Sequence, residues 1–402
     1  MITTGCVVIG AGLAAANVVQ TLREQGYEES ITLIGAELDR PYERPPLSKG
    51  YLQGHTQAET LFVHPSNWYA DQHIDTRFGV TALSIDPRAR RVQLSSGRAI
   101  GYRQLVISTG SRPRRLDIPG GNLAGVHYLR QLEDSDALRA VLLPGARIAV
   151  IGAGWIGLEV AAAARAAGCE VSVLEFARQP LRHVLGDMVS RFFADLHRGQ
   201  GVDLRTGTSV SSIVGRAGQV VGVQTAADFV PADVVVVGIG AIPNTELAAD
   251  ARLETDRGIA VDQHLRTSDP AIYAAGDVAT AFNTAIGERL RVEHWDNAIR
   301  QAKLVATSIL GRPAQYDWQP YFYSDQYDTG LEYVGHGGPD DDIVIRGDID
   351  DGKFIAFWLR DNRIRAAMNV NIWDVSDDLR ALVGRSITTQ RLVDPAISLS
   401  EL

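Results

Sequence analysis

The stretch IAVIGAGWIGLEV, residues 148–160, decides the fold. An apolar run meets a glycine-rich turn and continues in helix-forming residues, the pattern of a strand that turns through glycines into a helix. Such a turn holds a dinucleotide pyrophosphate. Its glycines let backbone N–H groups approach the phosphates, and the helix N-terminus stabilises their charge. The chain carries a second stretch of this kind, CVVIGAGLAAANVV at residues 6–19.

Each stretch opens a strand–helix–strand unit. The first predicts a strand over 6–10, a helix over 13–25 and a strand over 30–34; the second predicts 147–151, 156–167 and 170–174 in the same order. This is an internal repeat of architecture with diverged sequence. Gly10, Gly12 and Ala15 fit G-x-G-x-x-G with Ala at the third place, Ala14 lying inside the motif; Gly152, Gly154 and Gly157 complete the second copy around Ile156. The acid that binds a ribose hydroxyl is expected about 20 residues further on. Glu37 and Glu175 supply it, each just past its second strand. A carboxylate there accepts from a 2′-hydroxyl and repels a 2′-phosphate, so the second site is expected to prefer NADH over NADPH. Arg178 and Arg182 lie close by and either soften that choice or grip the pyrophosphate. Two dinucleotide sites in one chain imply electron transfer between two dinucleotides, one of them staying bound as FAD.

Bulk properties narrow the class. At 402 residues the chain has room for two or three domains, and its 45% hydrophobic and 22% charged residues are ordinary for a globular protein. A net charge of −9 disfavours nucleic acid or an anionic membrane as the main partner, since both are bound through excess Lys and Arg. The longest apolar run, 234–242, is far short of the ~20 residues that span a bilayer. A strand starting so near Met1 leaves no space for a targeting peptide, and two lone cysteines, Cys6 and Cys169, suit a reducing cytoplasm; a cytoplasmic protein is expected. The histidines show no metal-ligand spacing, and no G-x-S-x-G elbow occurs. No metal site is expected.

Further motifs follow in order: PYERPPLSKGYL at 41–52, LVISTGSRPR at 105–114, GAGWIGLE at 152–159, VGIGAIPN at 237–244, AAGDVA at 274–279 and EHWDNAIRQA at 293–302. From residue 319 the character changes, and the aromatic and acidic stretches suggest a small antiparallel sheet. The set resembles the oxygenase-coupled, NADH-dependent ferredoxin reductases, within the glutathione-reductase-like flavoproteins. The resemblance implies an α/β fold with two Rossmann-like domains, for FAD and NAD, and a small C-terminal α+β domain. It divides the chain into an FAD domain over 1–114 and 245–318, an NAD domain over 115–244 and a C-terminal domain over 319–402.

The resemblance also implies roles. Asp277 would hold the ribityl and pyrophosphate region of FAD, although an Asp there also reads as a helix cap. Arg44, Lys49, Ala82 and Arg130 match flavin-contacting positions, and Trp295 falls beside the flavin ring, where a Trp met alone would read as core. Gly238 joins Ile156 and the second glycine set on the NAD side. Glu159 resembles the acid that pairs with Lys49 near the nicotinamide; without the resemblance it reads equally as a solvent-facing helix charge. Lys49, Glu159 and Trp295 are thus the expected catalytic set. The chemistry of Lys49 agrees: this chain has only three lysines, at 49, 303 and 353, and a compact ammonium approaches flavin N5 where a planar guanidinium fits differently.

The expected activity is hydride transfer from NADH to flavin N5, with the electrons leaving singly to a 2Fe-2S ferredoxin that serves a monooxygenase or Rieske oxygenase. Lys303 and Tyr323 match basic and aromatic docking positions, each reading otherwise as a solvated helix charge or sheet packing. A monomer or weak dimer is expected. PPLSKGYL lacks the cysteine that thiol-dependent members of the wider group place beside the flavin, so disulfide chemistry is not expected. Rubredoxin reductase and an NADH-sensing flavoprotein of the apoptosis-inducing-factor type are the competing readings.

Overall fold

Cys6, Val7, Val8 and Ile9 are apolar in succession, and such a strand is stable only where both faces are covered. In the computed structural model, which describes residues 3–402, Thr3–Ile9 lies between Ile31–Ile34 and Ala99–Ile107 and runs parallel to both. Ile74–Arg77 extends the sheet on one side, and the antiparallel strands Arg91–Leu94 and Ala82–Asp86 extend it on the other. Ile272–Ala274 pairs in parallel with the far end of Ala99–Ile107. Helix Leu13–Glu24 packs against Trp295–Ile309, and the core includes Val8, Val18, Leu105, Ile272 and Val305.

The second copy repeats this plan. Arg147–Ile151 lies between Glu170–Leu174 and Val234–Val237, with Asp203–Arg205 and Val126–His127 outermost, and all five strands are parallel. Helix Trp155–Ala166 covers the sheet. In both copies the first strand has its successor on one side and a strand from a distant connection on the other. The crevice at the carboxyl ends of strands so arranged is where open α/β sheets bind ligands.

The C-terminal segment folds as an antiparallel sheet in the order Tyr321–Gln326, Thr329–Gly335, Arg363–Val370, Lys353–Arg360, Asp342–Asp348. Strand side chains alternate between faces. Phe354, Ala356 and Trp358 therefore enter one core with Leu158, Phe193 and Val236, while Ile355, Phe357 and Leu359 enter another with Leu379, Leu382 and Leu392. The architecture is α/β, with two Rossmann-like sheets and a C-terminal antiparallel sheet, as expected.

By internal contacts the chain forms two units. One comprises the residues up to Glu43, with Ala58–Arg112 and Ile242–Pro320; the other comprises Arg44–Gln57, Pro113–Ala241 and Tyr321–Leu402. The motif segment around Lys49 thus groups with the second glycine turn. Among the described residues no helix is long and apolar enough to cross a membrane.

Gly10 closes the first turn in a left-handed conformation, φ 101°, and a β-carbon there would sit 2.2 Å from the Ser108 carbonyl oxygen. Gly10→Ala is expected to destabilise the first unit by about 1–3 kcal/mol or more, strain and clash acting together. Urea denaturation of the apoprotein checks it, and an unchanged midpoint would refute the reading.

Candidate dinucleotide and hydride-transfer sites

The glycines of each turn do two different jobs. Gly152, φ 99°, would place a β-carbon 2.5 Å from the Gly238 carbonyl oxygen, and Gly157 would place one 2.1 Å from the Gly152 oxygen. Those positions need glycine, Gly152 to pass the neighbouring strand end and Gly157 to close the turn against its own backbone. Gly12 and Gly154 do not: a β-carbon at either meets nothing within 4 Å. Both are N-caps, of Leu13–Glu24 and Trp155–Ala166, and neither offers a capping side chain to the first-turn N–H groups. Open space above unsatisfied donors at the positive end of a helix fits an incoming pyrophosphate. At the third motif position, Ala15 is fully buried between helix and sheet.

In the first unit, Asp277 lies in the short 3-10 turn Gly276–Val278 and accepts a hydrogen bond from Ser111 Oγ at 3.0 Å. The turn follows Ile272–Ala274, which the sheet carries to the same carboxyl edge as Gly10; the Ala275 N–H donates to the Ile107 oxygen and the Ser108 N–H to the Ile9 oxygen. Asp277 therefore does not cap a long helix. Glu37 accepts from the Tyr42 hydroxyl at 2.5 Å, which orients its carboxylate. Trp295 opens Trp295–Ile309, half-buried, with its indole N–H enclosed and unbonded. Ala14 and Ala82 are buried in the first core, Ala82 paired with Leu94 in its strand. Lys303 is exposed on the helix that begins at Trp295.

In the second unit, Glu175 sits at the glycine loop: its carboxylate accepts from the Ala153 N–H at 2.5 Å and from the Ala177 N–H at 2.7 Å. Ile156, in the glycine motif, and Phe176, next to Glu175 in sequence, are both exposed. Arg178 and Arg182 both pair with Asp187, at 2.6 and 2.7 Å.

The same unit brings Lys49 to Glu159. The ammonium lies 2.8 Å from Oε2, with the side chains only 14% and 3% exposed. Glu159 is thus no solvent-facing helix charge. It lies in the second turn of Trp155–Ala166, and its carboxyl is satisfied on every side: Ser48 Oγ donates to Oε2 at 2.5 Å and Ser324 Oγ to Oε1 at 2.7 Å. A buried pair persists only when its remaining lone pairs are bonded in this way. Lys49 is delivered by the 3-10 turn Pro45–Ser48, which Ser135 anchors by donating to the Leu47 oxygen at 2.8 Å. Arg44 donates to the Arg130 oxygen at 2.6 Å, so these two expected positions meet. Lys49 Nζ also lies 5.7 Å from the Tyr323 ring centroid. Asp325 is exposed at its strand end, and partial desolvation by the packed neighbours raises its carboxyl, with Lys49 opposing and Glu159 adding to the rise. Ser48, Ser324 and Asp325 escaped the sequence reading; SDQ beside Tyr323 was the only trace of the last two.

Neither cysteine suits thiol chemistry. Cys6 and Cys169 are buried and free, and burial pushes the Cys6 thiol up to about 12 and raises that of Cys169.

The pyridine nucleotide-disulphide oxidoreductase model matches residues 4–302, and a reductase C-terminal model matches 321–402. The chain belongs to the pyridine nucleotide-disulphide oxidoreductase family, which the two glycine turns and their acids had already outlined. Within it the chain is 41% identical over 396 residues to the ferredoxin–NAD(+) reductase component of an anthranilate 1,2-dioxygenase system from Burkholderia cepacia, covering 98% of each chain. The crystal structure of a covalent putidaredoxin reductase–putidaredoxin complex matches with a TM-score of 0.96 and 37% identity, over 100% of this chain and 98% of that one. A rubredoxin-NAD(+) reductase from Pseudomonas putida is 35% identical over 91% of this chain and 95% of its own.

Because a β-carbon at Gly154 meets only open space, Gly154→Ala is expected to keep the unfolding free energy within about 1 kcal/mol of the parent. It should nonetheless weaken NADH binding at least about tenfold, by holding phosphate away from the N–H groups. Fluorescence titration alongside urea denaturation checks both halves; unaltered NADH affinity would contradict the pyrophosphate assignment.

Proposed function

We propose that this chain is an FAD-dependent NADH–ferredoxin reductase. The observation that carries the proposal is the pair of helices that each open at a glycine with empty space at its β-position, the second with the Glu175 carboxylate bonded to its glycine loop and the first with Glu37 just past the next strand in sequence. Gly10, Gly12, Ala14, Ala15, Glu37 and Asp277 would hold FAD, with Arg44, Lys49, Ala82, Arg130 and Trp295 completing its contacts. Gly152, Gly154, Ile156, Gly157, Glu175 and Gly238 would hold NADH, with Glu159 near the nicotinamide. The corresponding functional domains are 1–114 with 245–318, 115–244 and 319–402.

FAD, when bound, accepts the pair of electrons carried by hydride and gives them up singly. The residues of this chain supply the rest. Lys49, fixed by Glu159 and the Pro45 carbonyl, presents a positive charge that does not reorganise during the step. The buried surroundings of the pair keep that charge from being screened by water. No cysteine stands in this segment, which favours hydride and single-electron chemistry over thiol exchange.

A 2Fe-2S ferredoxin is the proposed acceptor, since the relatives matched over nearly their whole length include an oxygenase reductase component and a reductase solved with its putidaredoxin. Lys303 and Tyr323 are the proposed docking residues, on a monomer or weak dimer working in the cytoplasm. A local basic patch that includes the exposed Lys303 would attract an acidic partner against the chain's net charge of −9. Ferredoxin reduction should then lose at least about tenfold in kcat/KM between ~0.01 and ~1 M salt. Steady-state assays with a ferredoxin and with a rubredoxin test this; indifference to salt would remove the electrostatic docking, and a faster rubredoxin reaction would replace the acceptor.

The nucleotide preference has its own test. Glu175→Ala is expected to raise KM for NADH about tenfold while changing KM for NADPH less than about twofold. An unchanged preference would show that Glu175 does not read the ribose.

A further inference from the structure

Behind Glu159 runs a buried chain of hydrogen bonds that the activity described above leaves unused. Ser324 Oγ, which donates to Glu159 Oε1, accepts in turn from Gln326 Nε2 at 3.3 Å. Gln326 Oε1 lies 2.8 Å from His197 Nε2, and the Tyr327 hydroxyl lies 3.1 Å from His197 Nδ1. Ser324, Gln326 and His197 are buried, His197 completely.

With the His197 ring neutral and the Gln326 Nε2 amide group donating to Ser324, the protons along the chain are fixed. An amide oxygen cannot donate, so His197 Nε2 carries the hydrogen, and the neutral ring then accepts at Nδ1 from Tyr327. Every bond from Tyr327 through His197, Gln326 and Ser324 points its donor toward Glu159. Burial holds the His197 imidazole below its ordinary range, with the Gln326 bond opposing, which keeps the ring neutral as the chain requires. An orphaned group in such a network carries the full desolvation penalty, so the chain is stable only when complete.

The geometry divides the labour at Glu159. Oε2 faces Lys49 and Ser48; Oε1 is held by Ser324 alone among the bonds the described residues make to it. Ser324 and Gln326 lie on one face of Tyr321–Gln326, and Tyr323 lies on the other. We propose that Ser324, backed by Gln326, His197 and Tyr327, is a positioning residue for hydride transfer: it fixes the plane of the Glu159 carboxyl so that Oε2 keeps the Lys49 ammonium in place. The C-terminal sheet then contributes to the NADH step as well as to acceptor docking. This inference rests on the assignment of Lys49 and Glu159 to that step.

The test uses the FAD-loaded full chain with Ser324→Ala and Ser324→Thr. Ser324→Ala should lower the limiting rate of flavin reduction at saturating NADH about tenfold, with NADH Kd and reoxidation by ferricyanide both within about twofold of the parent. Ser324→Thr, which keeps the hydroxyl, should restore the limiting rate to within about twofold. A parent-like limiting rate in Ser324→Ala would overturn the inference alone, whereas a parent flavin that NADH leaves oxidised would refute the reductase reading itself. Nitrogen NMR of the histidine-labelled parent gives a second readout that needs no variant. His197 should be neutral with its hydrogen on Nε2, and a hydrogen on Nδ1 at neutral pH would overturn the directed chain.

Discussion

Two helices in this chain begin at a glycine that cannot cap them. The first-turn N–H groups of Leu13–Glu24 and Trp155–Ala166 have no side chain from Gly12 or Gly154 to bond, and the space in front of those glycines is open. An α-helix leaves such donors to water, a side chain or a ligand, and its dipole favours a ligand that is negative. The other glycines serve this arrangement, because Gly10 and Gly152 fold the backbone back against the neighbouring strand end and leave the helix N-terminus facing the carboxyl edge of the sheet. The parallel sheets, the placement of Asp277 and the bonds of Glu175 to the loop all follow from building that edge.

The second organising feature is a buried charge pair. Lys49 and Glu159 come from segments about a hundred residues apart, and a third segment supplies Ser324. Taking one partner away from such a pair leaves the other buried and uncompensated, at about 3–5 kcal/mol. The surrounding bonds therefore hold the 3-10 turn Pro45–Ser48, the helix Trp155–Ala166 and the C-terminal strand Tyr321–Gln326 to one another. This explains why Arg44–Gln57 groups with the second glycine turn although it follows the first in sequence.

What was legible in the sequence was local. Glycine spacing, apolar runs and an acid at a fixed distance mark Gly10, Gly12, Gly152, Gly154, Gly157 and Glu175, because turn, strand and helix N-terminus are set within thirty residues or so of chain. Strands Arg147–Ile151 and Glu170–Leu174 lie where the pattern puts them, and the helices differ only at their ends. What was illegible depends on distant segments meeting. Glu159 read equally well as a surface charge, since nothing near it announces Ser48 or Ser324. His197 lies on an amphipathic helix like many core histidines, and its bond to Gln326 spans 129 residues. Arg178 and Arg182, read as tuning the nucleotide choice or gripping the pyrophosphate, both pair with Asp187, a partner that the sequence near them did not announce.

The central claim is that one chain carries two dinucleotides and moves electrons from the visiting one to the resident one. Anaerobic titration of the purified, FAD-loaded protein with NADH tests it most directly. The account predicts that stoichiometric NADH bleaches the yellow flavin absorbance within the mixing time of a bench experiment, while NADPH at the same concentration acts far more slowly. A protein that cannot be loaded with FAD, or a bound flavin that stays yellow under excess NADH, would contradict it.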